Sequence, residues 1–167
     1  MASSSSAPLN DKDKALYDYV KSLLMYNNSH MDAQFLTVVN NMVRQGANPE
    51  RASVLHLAAL GARTIIARAL IEEHNCDVNK VDDKGMTPLI CAISGSVMCK
   101  RITDYSVVRM LIAKGADTSS NIRNPDGKTL LQLYKEEVKL ANIIRNDMSW
   151  PPASVEAEIV ELLSSGK

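Results

Sequence analysis

Three cysteines and three histidines are the residues of this 167-residue chain best equipped for chemistry. Zinc sites gather four ligands, usually with closely spaced pairs. Cys76, Cys91 and Cys99 contain no Cys-x-x-Cys pair, and His30, His56 and His74 are scattered along the chain. No metal site is expected. Nucleophilic catalysis needs a Ser, Cys or Thr in an exposed turn with a base in reach, and no such arrangement is recognisable. Cys91 lies in a run of small apolar residues, where a thiol is inert rather than reactive. There is no phosphate-binding loop and no Gly-rich dinucleotide fingerprint, so no cofactor is expected. The residues point away from an enzyme and towards surface recognition. The odd cysteine count, in apolar or helical settings, suits reduced thiols in the cytoplasm.

Composition narrows the partner. Formal net charge is zero, with 19 basic and 19 acidic residues. Nucleic-acid binding requires clustered positive charge, so none is expected. No run approaches the roughly 18 apolar residues of a membrane span. The opening residues, MASSSSAPLN, have neither a positive n-region nor an apolar h-region, and residues 1–9 read as a disordered lead. Hydrophobic residues make up 46% of the chain and aromatics only 4%. That implies a core of Leu, Ile, Val, Ala and Met between closely spaced helices.

The periodicity predicts helices throughout. Leu16, Tyr19, Val20, Leu23 and Leu24 share one face of a helix from Asn10 to about Asn27, after a solvated start at Asp11–Lys14. Asn27-Asn28-Ser29 reads as a turn. A second helix is predicted over Met31–Gln45, stopping at Gly46. Ser53 and Thr87 stand at helix starts as N-caps, Pro88 suits the first helical position, and Thr129 with Gln132 has capping-box spacing. The run Leu89, Ile90, Ala92, Ile93 is apolar on most faces, so it is stable only between neighbours. Further helices are predicted over Thr64–Glu73, Tyr105–Lys114, Thr129 to about Ile144, and from Ser154 onward.

The stretch from Asp82 to Gly95, DDKGMTPLICAISG, resembles the ankyrin-repeat pattern D-x-x-G-x-T-P-L-H-L-A-A-x-x-G. Ser53–Ala59, SVLHLAA, resembles its T-P-L-H-L-A-A core. Gly46-Ala47-Asn48, Asn75–Asn79 and Gly115-Ala116-Asp117 resemble its exit motif. Ser53 and Thr87 are 34 residues apart, against a family repeat of about 33. Thr87 and Thr129 are 42 apart, so the third unit carries an insertion, mostly at 96–105. It reads as an extra helical turn packed on the stack or as a private contact surface. The resemblance implies an all-α solenoid of about four helix pairs with short hairpin fingers, in one domain over 10–167. Its units fall at about 10–48, 49–81, 82–123 and 124–167, with the outer pairs divergent as terminal caps must be.

The resemblance also implies what the chain does. Such proteins bind other proteins through their fingers and inner-helix face. By position, those residues are Glu50, Arg51, Ala52 and Leu60 in the second unit, and Asp83, Lys84, Met86 and Ser94 in the third. In the fourth they are Asp126, Lys128 and Glu136. Gly46 to Ser53 spans only 7 residues, against 12 from Asn75 to Thr87, so a notch is expected at the first finger. His56 occupies the family histidine position and is expected to bond locally and to the next repeat. The setting of Asn79, after Asp77-Val78 and eight residues beyond Ile71, resembles sites of asparaginyl hydroxylases in ankyrin domains, but the motif is loose and a structural role in the hairpin suffices to account for this Asn. Trp150, before Pro151-Pro152, is expected to pin the last helix. A monomeric, non-enzymatic binding module is the leading expectation. The alternatives are a bacterial effector or regulator acting on a host protein in the host cytoplasm, and a structural or targeting domain for a separate catalytic subunit.

Overall fold

Short apolar helices that cannot be stable alone are stacked in two rows. The computed structural model describes residues 8–24, 32–98, 105–119, 121–145 and 151–164. Eight helices result: α1 (Asp11–Leu23), α2 (Asp32–Arg44), α3 (Val54–Leu60), α4 (Thr64–Glu72), α5 (Pro88–Met98), α6 (Ser106–Ala113), α7 (Leu130–Arg145) and α8 (Ala153–Ser164). No strand occurs among the described residues; one isolated antiparallel bridge joins Arg123 and Thr129. Helices α1, α3, α5 and α7 pack in succession as an inner row, α2, α4 and α6 as an outer row, and α8 packs on α7. The all-α solenoid of four helix pairs is therefore as the sequence predicts. The N-terminal lead up to residue 7, the Asn27–Ser29 turn, the insertion at 99–104 and Trp150 lie outside the described residues.

Helix α5 shows why the stack is obligatory. Leu89, Ile90, Cys91, Ala92 and Ile93 are all buried, between α3 on one side and α7 on the other. Close approach is secured by Gly95. A Cβ there would lie 2.1 Å from the Leu60 carbonyl oxygen at the end of α3, a backbone atom with no freedom to move aside. The inner helices are thus in near backbone contact. Helix α5 runs four residues longer than α3, so part of the insertion is helical. Its last residue, Tyr105, is buried with its ring edge-on to Tyr134 of α7 at 5.3 Å between centroids.

One expected cap and one expected solvated residue differ from expectation. Thr87 caps α5 through Oγ1 to the Ile90 N–H, and Thr129 and Gln132 form the reciprocal capping box. Ser53, by contrast, sits at φ 48° and makes no cap bond. The cap has moved upstream: Asn48 Oδ1 accepts from the N–H groups of Glu50 and Arg51. Pro49 stands at the first position of that turn, where its missing donor is harmless. Asp13 also departs from the predicted solvated start. It is fully buried, accepting the Asn48 N–H at 2.6 Å and facing Arg51 at 3.6 Å.

The N-terminal pair is fastened by Arg63, whose side chain is 1% exposed. Its guanidinium donates to Asp32 at 2.6 Å and to the Leu23 carbonyl at the end of α1, and it lies over the Phe35 ring. One cation at the start of α4 therefore holds both α1 and α2. Arg63 is not foreseeable from the sequence, because a lone arginine before a helix carries no burial signal.

Two stability outcomes are expected. Gly95→Ala gains about 1 kcal/mol of helix propensity but meets a backbone atom, so urea titration should show a net loss of about 1–3 kcal/mol; unchanged or raised stability would refute the close approach. Arg63→Ala leaves Asp32 buried without its cation and should cost about 3–5 kcal/mol, with replacement of both residues by apolar ones costing less.

Candidate functional site

The fingers of the third and fourth units are built by the same device. Asp82 Oδ1 accepts from the N–H groups of Lys84 and Met86, and Asp82 N–H donates to the Met86 carbonyl. Asn124 repeats this with Lys128: its Oδ1 accepts the Lys128 N–H, and its own N–H donates to the Lys128 carbonyl. Gly85 and Gly127 take the left-handed residue of each turn, at φ 77° and 79°. Two short polar side chains thus fold the fingers from within, leaving Asp83, Lys84 and Asp126 exposed at the tips. The first finger has no such hairpin. Residues 49–53 form the helical turn capped by Asn48, so the finger expected to be short is replaced by a helical turn.

A second device sets the spacing between units. Asp13 Oδ1 accepts the Asn48 N–H, Glu50 Oε1 accepts the Asp77 N–H at 2.8 Å, and Asn79 Oδ1 accepts the Asp117 N–H at 2.7 Å. Asn48, Asp77 and Asp117 are equivalent exit positions. Asp13 closes on the first exit from α1, and Glu50 and Asn79, each two residues beyond one exit, close on the backbone of the next exit. Asn79 also donates from Nδ2 to the Gly115 carbonyl. Both ends of its amide are therefore engaged in holding the third exit.

His56 does the same from inside. Its Nε2 lies 2.8 Å from the Lys80 carbonyl and 3.1 Å from that of Met86. Since both partners are acceptors, Nε2 carries the proton and donates. Nδ1 is buried with no hydrogen-bond partner among the described residues. Burial pulls the imidazole below its ordinary value, against the two carbonyls and the Asp82 charge, which favour the cation.

The predicted contact residues divide by environment. Asp83, Lys84 and Asp126 are exposed, Met86, Ser94 and Leu60 half-buried. Lys128 and Glu136 pair with each other, which raises the Lys128 ammonium pKa and ties the finger of the fourth unit to α7. Beside them burial pushes the Glu137 carboxyl up to about 7, with Glu136 adding to the shift. Arg51 is half-exposed over Asp13, and Glu50 is committed to the ladder. Ala52 is a correction: at 1% exposure it lies in the core, because the helical turn that replaces the finger points it inward. Cys76 and Cys91 are buried free thiols pushed up to about 12 by burial, protonated and shielded from reagents. Among the described residues no three Cys, His, Asp or Glu side chains gather as metal ligands, and no helix is long and apolar enough to cross a membrane.

Comparison with known proteins accords with this geometry. A family model described as ankyrin repeats, three copies, matches residues 14–122. The chain is 32% identical over 89 residues to alpha-latrocrustotoxin-Lt1a of Latrodectus tredecimguttatus, a match covering 51% of this chain and 6% of the toxin. It is 27% identical over 124 residues to the ANK repeat-containing protein nipk-1 of Caenorhabditis elegans, covering 66% of this chain and 20% of that protein. The chain thus spans a fifth or less of the length of these relatives.

The His56 environment has a measurable pH signature. The unfolded imidazole takes up its proton near the ordinary 6.5, the folded one only at lower pH. In that window the unfolded state binds more protons, so the stability His56 confers is complete above 6.5 and falls as pH drops below it. Because the raised Glu137 carboxyl contributes a slope of opposite sign in the same window, the signature is a difference: in urea titrations the stability of the parent chain relative to His56→Gln should fall between about pH 7 and about pH 5.5. Identical slopes would mean that another group titrates.

Proposed function

The chain belongs to the ankyrin-repeat family, and from that premise we propose that it is a non-enzymatic module that grips a partner protein with its fingers and inner-helix face. Ankyrin repeats are in general protein–protein interaction modules. The observation that carries the finer reading is the pair of fingers at 82–86 and 124–128. Each is folded by its own Asp82 or Asn124 and carries exposed charged residues at its tip. A surface fixed before contact loses little conformational entropy on docking. Asp83, Lys84 and Asp126 supply the polar rim, and Met86 with Leu60 and Ser94 the half-buried floor. Arg51 and Glu50 flank the helical turn that takes the place of the first finger, where a partner can approach the inner row more closely. Buried, protonated thiols support the non-enzymatic part of the reading.

In this reading the module is a monomer acting in the cytoplasm. Its charge balance and finger tips of both signs disfavour nucleic acid and membrane as partners. An effector or regulator acting on a host protein, and a targeting domain for a separate catalytic subunit, would use the same face. They differ in the partner rather than in the physics of capture.

A pull-down with Asp83, Lys84, Met86 and Lys128 together changed to Ala tests the face. A partner held by the parent chain should be lost or weakened about tenfold or more, since contact residues at the centre of an interface dominate its energy. Helical circular dichroism should be unchanged, because Asp82 and Asn124, which fold the turns, stay in place and Lys128 makes only a surface pair. Undiminished capture would remove the fingers from the binding site.

A further inference from the structure

The outer row is closed at every step but the last. Helix α2 packs on α4 and α4 on α6, with polar bridges alongside: Asn40 to Glu73 and His74, and Lys114 to Glu72. Helix α8 packs instead on α7. Its tie to α6 is the two-pronged pair of Arg109 with Glu158, Nε to Oε1 at 2.6 Å and Nη2 to Oε2 at 2.7 Å. Beyond that bridge the two helices part around a groove of about 680 Å³. Ile112, Ala116 and Leu162 supply its apolar lining, and Glu158 and Glu161 stand on the α8 side. The volume is in the range of a ligand-binding cleft.

Its charge is one-sided. Helix α8 carries Glu156, Glu158 and Glu161 and no basic residue. Arg109 balances Glu158, and Lys114 is taken by Glu72. Glu161 is exposed and pairs with no cation among the described residues. An apolar lining next to an unbalanced carboxylate suits a ligand that is apolar and cationic at once. We propose that the groove between α6 and α8 docks a short peptide segment of a partner protein, one carrying an aliphatic side chain beside lysine or arginine. The aliphatic group fills the space between Ile112 and Leu162, and the cation meets Glu161. This surface lies on the outer row, its lining takes in the exit residues Gly115, Ala116 and Thr118 but none of the candidate finger residues, and it does not depend on the reading of the finger face.

The test uses the whole chain and a fluorescein-labelled decapeptide of leucine and lysine. Fluorescence anisotropy should show saturable binding, and methyl NMR spectra should shift at Ile112 and Leu162. A peptide with serine in place of leucine should bind at least about fivefold more weakly, and Glu161→Arg should weaken the leucine peptide by a similar factor. The exposed position of Glu161 leaves the fold intact in that variant, which circular dichroism verifies. The four-residue finger variant should bind this peptide as the parent chain does. No saturable binding, equal binding of the serine peptide, insensitivity to Glu161→Arg, or shifts confined to the finger face would each overturn the proposal.

Discussion

The structure depends on the burial of α5. A helix whose sequence is apolar on most of its circumference has no stable place at a surface. Leu89, Ile90, Ala92 and Ile93 can leave water only if α3 and α7 stand on either side. Gly95 permits that approach, since a side chain there would meet the Leu60 carbonyl. Once α3 and α5 are this close, their units cannot slide past one another. The register of the fingers follows from this packing as much as from the turns themselves.

The polar side chains then set what packing leaves undetermined. Apolar contact is non-directional and would tolerate a range of offsets between units. The bonds from Asp13, Glu50 and Asn79 to the exit N–H groups of Asn48, Asp77 and Asp117 are directional, and each of these three exits receives one. Three different residue types perform one task, because the task requires only an acceptor of suitable reach. His56 adds a fourth tether, to two carbonyls of the following finger. The finger at 82–86 is held by its own turn and by His56 of the unit before it, and the finger at 124–128 by its own turn and by the pair of Lys128 with Glu136.

Much of this was legible in the sequence. Thr87-Pro88, Thr129 with Gln132 and the glycines of the turns are local signals, and local physics decides them. What escaped depends on residues distant in the chain. Ser53 has the chemistry of a cap, but the upstream pairing of Asn48 with Pro49 had already started the helical turn. Ala52 falls at a finger position by alignment, yet the same turn directs it into the core. Asp13 appears in a run of charged residues that reads as solvated, and only the approach of the first exit loop makes it an internal acceptor. Arg63 gives no periodic sign of burial at all. Among the candidate contact residues the sequence located the finger tips well, whereas the groove beside α8 arises from how the last helix is placed, which no motif encodes.

The two ends of the stack are fastened by different physics. At the N-terminal end a buried guanidinium joins α1, α2 and α4, out of reach of salt and water. At the C-terminal end α8 is tied to the outer row through Arg109 and Glu158, both partly in solvent. In a linear array each unit's stability is its own plus that of its interfaces. Opening should therefore begin at α8 and travel towards the N-terminus, while the first two pairs come apart together as one unit. Added salt screens the exposed tie and leaves the buried one nearly untouched, so ionic strength acts as a selective control on one end of the molecule.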